Sequence, residues 1–344
     1  VMRLEKAPNR TLSVNGITHL HFSGTSYLGM AALPEFHEII FENIKKWGSC
    51  YGSSRNANIK LNVYDKAEAF LANFFASEAC LTVSSGTIAG LLTLSSLEKM
   101  GASFFYMPKT HPAILPKNAL PVFEENNVNP LLLNTEKQTI CIVVDAIAAL
   151  ETKPYNFDFL QTIASEKKVF LLVDESHSLG VLGEIGNGIA SGIKIASHLE
   201  IIRVSSLGKA FALNGGIISG KKSFIDLVKE NPLFIGSAPM NPAFLESFLN
   251  AQELYKSQRK KLQEICKYVY THLHKIKKIT ISEKYPVFFL DDENIADFLA
   301  SKKILITSFR YPTSTKKMNR IVLNANHTKE DLDILIQCLL SYYQ

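Results

Sequence analysis

The chain has 344 residues, 47% of them hydrophobic and 20% charged, the composition of a globular protein with a sizeable core, which excludes a disordered or low-complexity chain. Its net charge of +5 arises from acids and bases interspersed along the sequence, and with no groove-reading motif beside them nucleic acid is not expected as a partner. No run of about 18 apolar residues occurs, and the start, VMRLEKAPNR, lacks an apolar core of signal-peptide length, so a cytoplasmic protein with no membrane partner is expected.

Such a length suits two domains, or one large α/β domain with a satellite. The first 45 residues mix strand-like pieces such as ITHLHFSG with a polar turn and a helix over Glu35 to Lys46. From Cys80 onward short β-branched or aromatic runs follow one another: ACLTV, SFFYM, TICIVVD, KVFLLVD, LEIIRV and GGIISG. Stretches of helix length, such as GTIAGLLTLSSLEKM, lie between them. This alternation predicts a mostly parallel sheet covered on both faces. After Pro242 a long amphipathic helix is predicted from about Ala243 to Lys278, wet on its Lys/Arg side. Short strands in YPVFFLD, KKILITS and NRIVLNA come next, then a closing helix after the cap-like HTKED. The expected organisation is an N-terminal segment, 1–45, a large α/β domain, 46–241, and an interdomain helix with a smaller α+β domain, 242–344. The five cysteines, Cys50, Cys80, Cys141, Cys266 and Cys338, are scattered and mostly apolar in context. Free thiols without a metal site are expected.

One short stretch carries the chemistry. In SSLGKAFALNGG, Ser205 to Gly216, Lys209 is the single charged side chain among small and apolar neighbours, whereas a lysine ordinarily keeps its ammonium in water. In an open α/β sheet ligands bind beyond the carboxyl ends of the strands, and three candidate groups fall at such ends. KVFLLVDESHSLG places Asp174 there, with His177 three residues on. LEIIRVSSLGK places Ser206 and Lys209 past the next strand, and ACLTVSSGTIAG ends in Ser85-Gly86-Thr87 and opens a helix. Singly, each has a plain reading: a helix cap, a turn, or a lysine that snorkels to solvent. Together they fit pyridoxal 5′-phosphate. That cofactor needs a Schiff-base lysine whose amine can be neutral, a carboxylate on its pyridine nitrogen, and an anion site such as a helix N-terminus. The GEIGNG run imitates a dinucleotide fingerprint but follows a His-bearing loop where a strand is required.

The segments LLVDESHSLGVLGEIGNG and VSSLGKAFALNGG, with SYLGM, YGSSR and RIVLNANHTKEDLD, cover nearly the whole chain. They resemble the pyridoxal-phosphate-dependent α-oxoamine synthases, of the aspartate-aminotransferase (type I) fold. The resemblance implies that Lys209 holds the cofactor, Asp174 pairs with the pyridine nitrogen, His177 lies near the phenolic oxygen and His111 stacks on the ring. It implies that Gly86, Thr87 and Ser206 contact the phosphate, with Ser237 reaching the phosphate of a partner subunit in a homodimer. Arg320, which on its residues alone could equally be a surface arginine, falls where the family binds the amino-acid carboxylate. Thr313 matches a substrate-contacting threonine of one branch of the family. The implied substrates are an amino acid, with L-alanine favoured, and an acyl thioester of coenzyme A or an acyl carrier protein.

Several residues depart from the family's pattern. The usual Glu-Gly-x-x-Ser run becomes DAIAALET, with Asp145-Ala146 at the acid-glycine pair and Ala149 at the serine. Thr25 stands for an asparagine, Ile59 and Tyr64 for a glycine and a histidine, and Ala238 for a threonine. These substitutions surround the cofactor, so they bear on the acyl acceptor more than on the cofactor itself. The alternatives they leave are another member, such as glycine C-acetyltransferase, or a paralogue that binds cofactor without turnover.

Overall fold

The computed structural model describes residues 3–111, 114–148, 151–310 and 317–344. Thr11–Val14 (β1) and Ile17–Phe22 (β2) form an antiparallel hairpin. It turns at Asn15 and Gly16, both at positive φ (50° and 78°), the pair that a two-residue type I′ turn favours. Helix α1 (Pro34–Trp47) opens with Pro and Glu35 and closes with Lys45 and Lys46, matching the helix dipole at both ends. Then come α2 (Asn62–Phe74), β3 (Ala79–Val83), α3 (Gly86–Lys99) and β4 (Ser103–Tyr106). Three two-residue strands, β5 (Leu120–Pro121), β6 (Phe123–Glu124) and β7 (Asn127–Val128), precede a one-turn helix α4 (Pro130–Leu133). Long strands follow: β8 (Thr139–Asp145), β9 (Lys168–Asp174) and β10 (Leu199–Ser206), then β11 (Gly216–Gly220). Helices α5 (Lys222–Lys229), α6 (Pro232–Gly236), α7 (Pro242–Asn250) and α8 (Gln252–Leu273) come next. The chain ends with β12 (Ile279–Thr280), β13 (Val287–Leu290), α9 (Ile295–Ser301), β14 (Ile304–Arg310), β15 (Lys317–Val322) and α10 (Lys329–Tyr343).

These elements fall into two compact units. One comprises Ile39–Lys209 and Leu213–Asn250 and contains a seven-stranded sheet in the order β3-β11-β10-β9-β8-β4-β5. β11 runs antiparallel to both neighbours and the other pairs are parallel, so the expected mostly parallel α/β sheet is present. Its strands read as unbroken apolar runs because alternate residues feed two different cores. Cys141, Val143, Phe170 and Leu172 pack on one face with residues of α3 and α5. Ile140, Ile142, Val144, Val169, Leu171 and Val173 pack on the other. Two-sided burial of this kind removes the polar alternation of a half-exposed strand.

The cover on that second face differs from the expected helices. Between β9 and β10 the chain forms only a 3-10 turn, Ala190–Gly192, organised by a buried carboxylate. Glu175 accepts the N–H of Ile189 at 3.1 Å and of Ala190 at 2.7 Å. A side chain at Gly188 (φ 81°) would strike that carboxylate, its Cβ lying 2.4 Å from Oε2. Glycine in the GEIGNG run thus serves loop packing on Glu175.

The other unit comprises residues up to Glu38, Ala210–Ala212 and Ala251–Gln344, with a six-stranded sheet in the order β1-β2-β14-β15-β13-β12. The N-terminal hairpin joins it through the parallel β2·β14 pairing. The HTKED signal is a capping box: Thr328 accepts the Asp331 N–H, and Asp331 accepts the Thr328 N–H. The single long helix expected from Ala243 to Lys278 is two, α7 and α8, with Ala251 between them at φ −95° and ψ 12°. No helix among the described residues is long and apolar enough to cross a membrane. Cys80, Cys141 and Cys266 are buried free thiols, Cys338 is half-buried, and Cys50 is exposed.

Candidate active site

Strand register brings Asp174, Ser206 and the start of α3, three of the large unit's expected site elements, to one end of the sheet. β8 and β9 are parallel with Asp145 opposite Asp174, and β9 pairs with β10 with Asp174 opposite Val204. Two residues on, Ser206 pairs with Gly216 of β11, which pairs with Val83 at the end of β3. Asp145, Asp174, Ser206 and the start of α3 therefore share the carboxyl edge, where an open α/β sheet binds its ligands. Lys209 lies three residues past β10 and is half-buried.

The start of α3 is built to receive an anion. Ser85 is its N-cap: Oγ accepts the Ile88 N–H at 3.2 Å and its carbonyl takes the Ala89 N–H at 3.0 Å. The N–H groups of Gly86 and Thr87 are left without a protein acceptor among the described residues, at the positive end of a helix dipole. Gly86 allows this end to abut β10, since a Cβ there would lie 2.8 Å from Ser206 Cβ and 2.9 Å from its backbone N. Ser206 is itself fixed: its N–H donates to Ser176 Oγ at 2.9 Å and its Oγ accepts the Gly208 N–H at 3.1 Å.

On the other side of the edge stand the carboxylates. Asp174 Oδ1 accepts the Ser176 N–H at 2.8 Å, which leaves Oδ2 for a ligand donor. Asp145 is buried and accepts the His111 N–H through Oδ2 at 2.6 Å. Burial, and then the neighbouring Asp174 charge, push the Asp145 carboxyl up to about 7; the His111 N–H and the Lys209 ammonium oppose that rise. Asp174, Lys209 and the backbone of His111 thus all act on Asp145. The His111 residue is exposed and His177 is half-buried.

Ser237 caps α6, its hydroxyl donating to the Leu233 carbonyl. Arg320 lies on β15 in the other unit, opposite Phe289 on β13 and Thr307 on β14. Its Nε is buried without a hydrogen-bond partner among the described residues. In the same unit, burial pushes the Tyr27 phenol up to about 12, against the Arg320 charge. Thr313 and Ala149 lie outside the described residues. The Asp145 contact to His111 was not foreseen, although TICIVVD and KVFLLVD end alike in Asp and so announce two strand-end carboxylates.

The model of the family described as aminotransferase class I and II matches residues 125–339, well over half of the chain. The chain belongs to that family. Its cofactor is accordingly pyridoxal 5′-phosphate, and the donor set fits the group. A helix N-terminus with free N–H groups suits a phosphate, and a carboxylate with an unused oxygen suits a pyridinium. A lysine at the same sheet end suits the aldehyde.

Among sequence relatives, an 8-amino-7-oxononanoate synthase of Petrotoga mobilis is 28% identical over 98% of the chain and 91% of its own length. One of Coprothermobacter proteolyticus is 27% identical over 94% of the chain and 88% of its own length. In fold, the chain is similar to a serine palmitoyltransferase from S. paucimobilis with a bound PLP–myriocin adduct. The TM-score is 0.82 at 16% identity, over 99% of this chain and 92% of that one. It is also similar to the 8-amino-7-oxononanoate synthase of Francisella tularensis, with a TM-score of 0.71 at 23% identity over 95% of this chain and 99% of that one. The fold is that of the type I pyridoxal-phosphate enzymes.

Proposed function

We propose that the protein is an acyltransferase of the α-oxoamine synthase type. It joins the Cα of an amino acid to the acyl carbon of a thioester, with release of the thiol and of carbon dioxide, to give an aminoketone. The observation that carries this reading is the convergence, at one sheet end, of Asp174, Ser206, Lys209 and the open N-terminus of α3. When bound, pyridoxal phosphate supplies an electron sink that makes a Cα proton removable.

The chain's residues do the rest. Gly86 and Thr87 N–H and the Ser206 hydroxyl hold the phosphate, and Asp174 holds the ring nitrogen in its protonated form. His111 covers the ring and His177 lies at its phenolic oxygen. Lys209 anchors the group and then, as a free amine, takes the Cα proton and later returns one. Arg320 holds the substrate carboxylate; a buried Nε with no partner among the described residues suits an acceptor that a ligand brings. Thr313 contacts substrate, and Ser237 serves the phosphate of a second subunit in a homodimer. Residues 46–241 act as the cofactor-binding domain, flanked by 1–45 and 242–344.

Among such enzymes the reading favours 8-amino-7-oxononanoate synthase, with L-alanine as the amino acid, because that is the name its full-length sequence relatives carry. A nine-carbon product with its ketone next to the amine-bearing carbon divides into the alanine fragment and a seven-carbon dicarboxylic acyl group. The test is to incubate the protein with cofactor, alanine, glycine or serine, and thioesters of varied chain length. Mass spectrometry of the products should find the nine-carbon aminoketone from alanine and the seven-carbon dicarboxylic thioester as the main one. A preference for serine with a long alkyl thioester, or no aminoketone at all, would overturn the assignment.

A further inference from the structure

The segment that carries His111 is tied to the sheet by main-chain and hydroxyl contacts. Thr110 Oγ1 donates to the Met107 carbonyl at 2.7 Å, and the His111 N–H donates to Asp145 at 2.6 Å. The second contact is costly to build. Asp145 is 7% exposed, and the strand register sets it directly beside Asp174. Two carboxylates so placed repel each other, and burial adds to the penalty. Three groups act on or beside Asp145 besides the His111 N–H: Asp174 from β9, Lys209 after β10, and Tyr155 from the segment after β8. Of these only Lys209 carries a charge that favours the carboxylate. A neutral amide or hydroxyl would be cheaper here if filling space were all that was required. A short hydrogen bond to a carboxylate is stronger than one to a neutral acceptor, and at this point it fixes the backbone of a single residue.

We infer that Asp145 is a positioning residue, which sets the place of the His111 ring by holding that residue's backbone N–H at the carboxyl end of β8. The inference rests on the function proposed above, in which His111 covers the cofactor ring. Asp145 touches no substrate; it acts through His111. Removing the acceptor frees the His111 backbone, although Thr110 still holds to the Met107 and Val143 carbonyls, and the ring then contributes to cofactor binding no better than if it were absent.

The test is a set of holoprotein variants: Asp145→Ala, Asp145→Asn, His111→Ala, and the double variant with alanine at both positions. Each is measured for cofactor affinity by absorbance and for the visible circular dichroism of the bound cofactor, with thermal unfolding as a check that it folds. Asp145→Ala should weaken cofactor binding by roughly tenfold or more and reduce the dichroic band, as expected for losing a charge-assisted hydrogen bond. Asp145→Asn keeps an acceptor oxygen without its charge, so its loss should be smaller than that of Asp145→Ala and lie between it and wild type. In the His111→Ala background Asp145→Ala should cost nothing further, because a residue that acts through His111 has nothing left to position. Wild-type affinity in Asp145→Ala would overturn the inference. So would additive losses in the double variant, or an Asn variant as weak as the Ala one. A wild-type protein that takes up no cofactor would instead overturn the proposed function itself.

Discussion

Gly86→Ala tests the anion site with one methyl group. The added Cβ would stand 2.8 Å from Ser206 Cβ and 2.9 Å from both Ser206 Cα and Ser206 N, closer than unstrained carbon atoms approach. Neither partner can give way cheaply. The Ser206 N–H is held by Ser176 at 2.9 Å, and its strand is paired to Gly216. Gly216 in turn lies so close to the start of α3 that its own Cβ would meet the Ser85 carbonyl oxygen at 2.2 Å. Overpacking of this kind costs about 1–3 kcal/mol, while alanine's helix preference over glycine returns about 1 kcal/mol at most. The net loss of up to about 2 kcal/mol should lower the melting temperature of the cofactor-free protein by up to roughly 3 °C. Because the strain displaces the Gly86 and Thr87 N–H groups, cofactor affinity should fall by about tenfold or more. Two further variants calibrate the result by calorimetry and absorbance titration. In Gly208→Ala the new Cβ would meet the Ser206 Oγ at 3.3 Å and the Leu213 carbonyl oxygen at 3.9 Å, a far milder crowding, and in Gly52→Ala it would meet nothing within 4 Å. If Gly86→Ala melts with Gly52→Ala and binds cofactor equally well, the close approach of α3 to β10 does not form the phosphate site.

Acid should destabilise the protein through His327. Its Nδ1 accepts the Asn324 N–H at 3.0 Å, so Nε2 bears the proton it donates to the His21 carbonyl, and burial pulls the ring down to about 4. The unfolded chain then binds the proton first, so stability is full above about pH 6.5 and falls towards pH 4, by up to about 3 kcal/mol. Denaturant unfolding should show a slope over that range that His327→Gln flattens, and parallel curves would refute it. Asp145 works with the opposite sign in the cofactor-free protein. Its folded value of about 7 lies above the ordinary carboxyl range, so stability is lost as pH rises through that value, and Asp145→Asn should melt higher than wild type at pH 8. Equal melting temperatures there would contradict the repulsion from Asp174. Arg320→Lys should weaken alanine binding by about tenfold with cofactor absorbance unchanged, since a lysine cannot reproduce the guanidinium fork. An unchanged alanine titration would remove Arg320 from the substrate site.

What was legible beforehand follows from which interactions leave a local trace. β8, β9 and β10 are buried on both faces, so TICIVVD, KVFLLVD and LEIIRV stand out without any fold in view. The cap of α10 is written within four residues, Thr328 to Asp331. By contrast, the two-residue strands β5, β6 and β7 are too short to show a period. The partnership of β2 with β14 joins opposite ends of the chain through main-chain hydrogen bonds, which any pair of strands can make. The break between α7 and α8 has neither glycine nor proline to mark it, and Ala251 is buried at the junction. At the site the chemistry-bearing side chains Asp174, Ser206 and Lys209 were visible by type and spacing. The contact of Asp145 to His111 was not, because its donor is a backbone N–H and no residue type announces that.

The central claim is that Lys209 carries the cofactor at the sheet end it shares with Asp174 and the start of α3. Borohydride reduction of the protein loaded with pyridoxal phosphate, followed by digestion and mass spectrometry, tests it directly. The account predicts one pyridoxyl-bearing peptide, the one containing Lys209, and none from protein carrying Lys209→Ala. A label on another lysine, or cofactor bound with no label at Lys209, would contradict it.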